Sequence, residues 1–108
     1  MADSQRLGDM LTTINPATGE ELERYPLMTD REYETAIEQC HEAFLNWRHE
    51  APEKRAEIIR KIGEGLKAKK SELSKLMTEE MGKLVKQGEA EIDLCVGICD
   101  WTAENGPK

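Results

Sequence analysis

The sequence predicts a mainly α-helical chain with a small amino-terminal β-hairpin. Three observations lead to this fold class. Short segments rich in β-branched and apolar residues flank a Pro-Ala-Thr-Gly turn near the start of the chain. From Thr29 onward the apolar residues recur with the helical period of about 3.6. Proline and glycine then interrupt this periodicity at the points where helices begin or end.

The hairpin is predicted over residues 11–26. Its first strand contains the β-branched residues typical of strands, and Pro16 opens a turn in which Gly19 can take a positive φ. The returning strand alternates polar and apolar residues until Pro26 limits it. A two-stranded hairpin is marginally stable in water, so it needs a surface to lie against. The polar residues 1–10 are expected to be disordered.

Four helices follow the hairpin, with boundaries at about 30–49, 52–69, 71–81 and 85–103. Thr29 and Glu32 match a capping box at the start of the first helix. Pro52 suits the first turn of the second helix, and Gly82 suits the left-handed residue that ends the third. An apolar stripe runs the length of the first helix and contains Tyr33, Ala36, Ile37, Cys40, Ala43, Phe44 and Trp47.

The interiors of the second and last helices carry two further signals. Gly63 and Gly65 should each weaken the second helix by about 1 kcal/mol relative to alanine. The last helix has two apolar stripes, one formed by Ile92, Cys95, Val96 and Cys99 and the other by Leu94, Ile98 and Trp101. A helix that is apolar on two faces usually packs against other elements on both of them. This pattern indicates that the chain is part of a larger protein or assembly.

Composition limits the classes of protein that fit. The 108 residues suffice for one domain, but Leu, Ile, Val and Phe together number only 20, so the core should be thin. No apolar run approaches the length of a membrane span, and the start does not resemble a secretory signal. Three cysteines without such a signal indicate reduced thiols and a cytoplasmic location. A net charge of −7 argues against nucleic-acid binding.

Positive charge is concentrated in residues 54–70, which contain seven basic and two acidic side chains. The flanking segments are both acidic. We favour a solvated helix face that pairs with these flanks over an anion-binding patch. The basic side chains are Lys54, Arg55, Arg60, Lys61, Lys67, Lys69 and Lys70.

No catalytic constellation is evident in the residues themselves. Cys95 and Cys99 have a spacing that two metal ligands could use, but they fit an apolar stripe and no histidine is near, so packing thiols are favoured. His41 and His49 fall off the stripe of the first helix and should be solvated. The adjacent pair Glu79-Glu80 points in divergent directions on a helix, which favours a surface role.

Four motifs occur in a fixed order: Ile14-Asn-Pro-Ala-Thr-Gly-Glu20, Phe44-Leu-Asn-Trp47-Arg48, Arg55, and Met77-Thr-Glu-Glu-Met-Gly-Lys83. In this order they resemble the amino terminus of an NAD(P)-dependent aldehyde dehydrogenase. The closing Cys99-Asp-Trp-Thr-Ala-Glu-Asn-Gly-Pro107 is similar to the succinate-semialdehyde dehydrogenase branch of that family. The resemblance implies that residues 11–108 are the amino-terminal part of the cofactor-binding domain of a longer α/β enzyme.

Such an enzyme oxidises an aldehyde through a cysteine thiohemiacetal and passes hydride to NAD or NADP. The similarity to the named branch implies succinate semialdehyde as the aldehyde. The resemblance places its nucleophile, general base and nucleotide-binding strands in later segments. None of Cys40, Cys95 and Cys99 matches the nucleophile motif. We therefore expect this chain to hold no catalytic or cofactor-binding residue, to bind no cofactor alone and to be inactive alone. Its expected partner is the remainder of the enzyme, as a homodimer or homotetramer, with no nucleic acid and no membrane.

Two groups of site residues follow from the resemblance. Many members bind a monovalent cation through backbone carbonyls and an acid, and the matching positions are Thr13, Ile14 and Glu80, with glutamate where aspartate is common. The last helix borders the substrate tunnel in the family, which points to Glu91, Cys95 and Cys99. The alternative hypothesis is a self-contained helical protein-binding module that uses the apolar last helix as a docking surface.

Overall fold

A computed structural model describes residues 10–108 and confirms a mainly helical chain with an amino-terminal antiparallel hairpin. Its elements are β1 (Met10–Ile14), β2 (Glu21–Pro26), α1 (Asp30–Trp47), α2 (Pro52–Ala68), α3 (Lys70–Met81) and α4 (Val85–Asn105). The disorder predicted for the terminus falls on residues 1–9, outside the described residues. Met10 is a correction to that prediction, because it is paired with Pro26 as the first residue of β1.

The turn of the hairpin is closed by its own side chains and backbone. The Asn15 side-chain oxygen accepts a hydrogen bond from the Ala17 N–H at 2.9 Å, and the Asn15 carbonyl accepts from the Gly19 N–H at 2.8 Å. Gly19 has a φ of 78°, a left-handed conformation that favours glycine. The Asn-Pro-Ala-Thr-Gly motif is therefore a folded turn, and it sets the pairing of the two strands.

Helix α1 begins as the sequence predicts and then extends without burying any residue. The Thr29 hydroxyl accepts from the Glu32 N–H at 3.2 Å, and the Glu32 carboxylate accepts from the Thr29 N–H at 3.0 Å. The helix ends at Trp47, two residues before the predicted end, in a tighter turn through His49. Its apolar stripe is largely exposed, and within residues 10–108 it packs extensively on no other element.

The core lies where α4 packs across α2 and α3. Its buried residues are mostly small: Ala56, Gly63, Ser74, Gly88, Ile92 and Ala103. A Cβ added to Gly63 would lie 2.9 Å from Cys99 Cβ, and one added to Gly88 would lie 3.3 Å from Ser74 Cα. Gly63 therefore does more than weaken α2, since its missing side chain lets α2 approach α4 closely.

The described part of the chain is flat and extended for its length. Its radius of gyration is 18.5 Å and its principal extents are 49, 39 and 17 Å. A compact domain of about this length would have a radius of gyration of about 13 Å. None of the four helices combines the length and apolar character needed to traverse a bilayer. The small residues of the core and the exposed stripe of α1 together account for the thin, open shape.

Candidate functional site

The hairpin turn lies against the carboxyl end of α3. Gly82 ends α3 in the left-handed conformation with a φ of 72°, and a Cβ added there would lie 3.4 Å from Pro16 Cγ. The Thr78 hydroxyl donates to the Lys83 carbonyl at 2.7 Å, which fixes the chain as it leaves the helix. Strand β1 also packs on α3. Two distant motifs, Asn-Pro and Gly-Lys, are thus neighbours in space.

The predicted cation ligands sit on the two elements that meet here. Thr13 and Ile14 are in β1 at a shift in the strand register, where the ladder is locally disrupted. Glu80 is half-buried in the last turn of α3. The Thr13 hydroxyl oxygen is buried and has no hydrogen-bond partner within residues 10–108. The backbone carbonyls of Thr13 and Ile14 and the Glu80 carboxylate are hard oxygen donors, the kind of ligand that a monovalent cation takes.

The predicted tunnel residues follow one side of α4. Glu91 is exposed and forms an ion pair with Lys83, whereas Cys95 and Cys99 are half-buried free thiols. Cys99 lies in the contact with Gly63 of α2. No cluster of three or more His, Cys, Asp or Glu side chains that could hold a metal occurs among the described residues. The packing interpretation of the Cys99 thiol agrees with this contact.

The other side of α4 is an exposed apolar surface. Leu94, Ile98 and Trp101 are 64, 56 and 68% exposed, and we call these three residues the outer stripe of α4. The opposite stripe, which begins with the buried Ile92, is the one that packs on α2 and α3. The two-stripe pattern is thus resolved into one packed face and one open face.

An ion pair joins α3 and α4 beside the core. Lys70 Nζ lies 2.9 Å from a carboxylate oxygen of Asp93. The hydrogen bond to Asp93 raises the pKa of Lys70. Together with the Lys83–Glu91 pair, this contact links the start of α3 and the segment that follows α3 to α4.

A cavity of about 200 Å³, which no pattern in the sequence indicates, lies between the first turns of α2 and the last turns of α4. Pro52, Arg55 and Ile59 line it from α2, and Thr102 and Pro107 line it from the other side. The Nε atom of Arg55 is buried and has no acceptor within residues 10–108. The sequence distinguishes Arg55 only as part of the basic segment and of a family motif, because Thr102 and Pro107, across the cavity, are more than forty positions away.

Comparison with known proteins identifies the chain. The model of the aldehyde dehydrogenase family matches residues 2–108. The chain belongs to the aldehyde dehydrogenase family. Within this family it is 40% identical over 95 residues to the succinate semialdehyde dehydrogenase [NAD(P)+] of Escherichia coli, covering 88% of this chain and 21% of that one. It is 34% identical over 96 residues to the succinate-semialdehyde dehydrogenase [NADP(+)] of Deinococcus radiodurans, covering 89% and 20%.

Solved aldehyde dehydrogenases contain the same arrangement of elements. The crystal structure of succinate-semialdehyde dehydrogenase from Burkholderia pseudomallei superposes with a TM-score of 0.85 at 31% identity, covering 92% of this chain and 20% of that chain. This aldehyde dehydrogenase segment therefore spans about a fifth of the length of the relatives it matches. The hairpin and helices are the amino-terminal part of the family fold.

Proposed function

We propose that this chain is the amino-terminal segment of an enzyme that oxidises an aldehyde to the corresponding acid with NAD or NADP. The observation that carries the proposal is the family match over residues 2–108, with 40% identity to a succinate semialdehyde dehydrogenase. Succinate semialdehyde is the proposed substrate, because relatives named for that activity are prominent in both comparisons. The proposed location of the enzyme is the cytoplasm, on the basis of its free thiols.

In this proposal the segment is structural support and the remainder of the enzyme covers its open faces. The outer stripe of α4 and the apolar stripe of α1 are large apolar surfaces. The rest of a chain as long as the related enzymes could bury them. The catalytic nucleophile, the general base and the cofactor cleft would lie in that remainder. The complete enzyme is proposed to be a homodimer or homotetramer.

The proposal also assigns two roles within the segment. Thr13 and Ile14, through their backbone carbonyls, and Glu80 would hold a monovalent cation at the junction of β1 and α3, a role supported by the packing of β1 on α3. Glu91, Cys95 and Cys99 would border the substrate tunnel. The ion pair of Glu91 with Lys83 would then fix the side of α4 that faces the tunnel.

The experiment has two arms. The first assays the 108-residue chain for production of NAD(P)H from succinate semialdehyde and other aldehydes, and we expect none. The second reads the coding sequence downstream of the Lys108 codon, where we expect a glycine-rich cofactor segment and a later catalytic cysteine. The longer protein encoded by that reading frame should then reduce NAD or NADP when supplied with succinate semialdehyde. Turnover by the rigorously purified short chain, or an extended protein without such activity, would refute the proposal.

The outer stripe of α4 also suits a second candidate, a self-contained helical module that docks another protein. The two candidates differ in what the isolated chain should do. A module should be a compact, stable monomer, whereas a segment of a larger fold should associate or open where its apolar faces are bare. The large radius of gyration favours the hypothesis that the chain is a segment of a larger fold.

A further inference from the structure

We propose that Cys95 and Cys99 form a two-thiol site on α4 that binds a trivalent arsenical, with one arsenic atom joined to both sulfurs. This binding is separate from aldehyde oxidation and does not depend on it. The two residues are one turn apart on the same helix, and both are half-buried free thiols. Residues four positions apart are neighbours on the surface of a helix. Both ligands therefore come from α4 itself, and the helix sets their spacing.

The spacing of the two thiols suits a bridging atom better than a direct bond. On a helix, the Cβ atoms of residues four positions apart are separated by about 5–6 Å. A disulfide requires a shorter separation of the two Cβ atoms, about 3.5–4.5 Å. An arsenic atom bonded to both sulfurs spans the larger separation without unwinding the helix. Cys95 and Cys99 are thus thiols that one ligand atom can join while α4 stays intact.

The surroundings of the pair favour a soft ligand that forms a neutral product. Cys95 and Cys99 share their stripe of α4 with Ile92 and Val96. A Cβ added to Gly63 would lie 3.8 Å from Cys99 Sγ, so the glycine leaves this sulfur without a neighbouring side chain from that position. Charge is costly to bury beside apolar groups, and sulfur ligands select soft partners. An arsenical bonded to two thiols is both soft and uncharged.

The probe is phenylarsine oxide, and its reaction is a substitution at arsenic without oxidation or reduction. Two sulfur–arsenic bonds form, the arsenic–oxygen bonds break, and the oxygen leaves as water with the two thiol protons. Cys40, exposed on α1, can supply only one such bond by itself. At the two-thiol site the second bond forms within the same molecule, which makes binding by the pair much tighter.

The reduced 108-residue chain is titrated with phenylarsine oxide, and the product is analysed by mass spectrometry and thiol counting. We expect one arsenical per chain, with Cys40 still free. The matched variants Cys95→Ser, Cys99→Ser and Cys40→Ser remove one thiol each. The first two should weaken binding by about tenfold or more, whereas Cys40→Ser should leave the affinity unchanged. Amide exchange in α4 should slow on binding, because the bridge joins adjacent turns.

Fragmentation of the adduct locates the bridge in the unsubstituted chain, so the test does not depend on the folding of a serine variant. A bridge that includes Cys40, more than one arsenical per chain, or equal affinity in all three variants would overturn the proposal. Loss of helical circular dichroism on binding would also overturn it, since the ligand would then fit only an unwound α4.

Discussion

Gly63 and Cys99 touch where α2 crosses α4, and the contact leaves no room for a side chain at position 63. A Cβ built on Gly63 would lie 2.9 Å from Cys99 Cβ, a separation that real Cβ atoms essentially never show. Gly65, two positions further along the same helix, has nothing within 4 Å of an added Cβ. The two glycines therefore have the same helix propensity and opposite packing environments.

Gly63→Ala should lower the free energy of unfolding, because the steric cost of overpacking, about 1–3 kcal/mol, outweighs the gain of about 1 kcal/mol in helix propensity. Gly65→Ala is the matched control and should raise the free energy of unfolding by about 0.5–1 kcal/mol. Chemical denaturation monitored by circular dichroism measures both. Equal stabilisation by the two substitutions would mean that α2 and α4 do not approach as closely as described.

Thr29→Ala should destabilise α1 by about 0.5–2 kcal/mol, because alanine has no hydroxyl to accept the hydrogen bond from the Glu32 N–H. Thr35→Ala, in the interior of the same helix, should instead be neutral or slightly stabilising. Amide hydrogen exchange in the first turn of α1 provides the measurement. An unchanged exchange rate in a folded Thr29→Ala sample would contradict the role of the cap.

The isolated chain should self-associate through the outer stripe of α4. Burial of each large apolar side chain is worth about 1.5–3 kcal/mol relative to exposure, and Leu94, Ile98 and Trp101 are all exposed. Ile98→Glu should shift the chain toward the monomer in size-exclusion chromatography with light scattering. Lys86→Gln makes the same change in net charge away from this stripe and should have no effect.

The opposite result would be equally informative. A monomer at every accessible concentration, with strong amide protection throughout residues 85–105, would show that α4 is stable with its outer stripe in water. That outcome would favour the self-contained binding module over the aldehyde dehydrogenase segment.

The hairpin should weaken in acid because of Glu21 and Arg24. The hydrogen bond from the Arg24 guanidinium lowers the pKa of Glu21 below its usual value. A carboxylate with a lowered pKa stabilises the folded state above its unfolded pKa, and this contribution is lost as the pH falls through the folded pKa. Glu21→Gln should therefore reduce the acid sensitivity of the β1–β2 amide signals in NMR. Glu20→Gln, in the adjacent turn, should leave it unchanged.

Local features of the fold could be predicted from the sequence because a few neighbouring residues determine them. The capping box at Thr29, the turn from Pro16 to Gly19, and the helix stop at Gly82 each depend on backbone geometry within about five positions. The two apolar stripes of α4 could also be predicted from the sequence. The sequence could not say which stripe is packed, since that depends on which helices lie against it.

Contacts between residues that are far apart in the chain could not be predicted from the sequence. Gly63 was expected only to weaken α2, because helix propensity describes one helix and says nothing about a second helix lying across it. The cavity at Arg55 joins residues of α2 to Thr102, and no spacing in the sequence indicates that pairing. Thr13 and Glu80 were connected through the family resemblance, and the packing of β1 on α3 supplies a physical reason to connect them.

The isolation of α1 has a consequence for cooperativity. A helix that packs extensively on no other described element shares few interactions with the core of α2, α3 and α4, so its opening need not disturb that core. The chain should accordingly behave as two unfolding units of unequal stability, with α1 exchanging its amide protons first and Ile92 and Ala103 among the last. A single denaturation midpoint would then describe neither unit, because two-state analysis assumes that the whole chain opens at once.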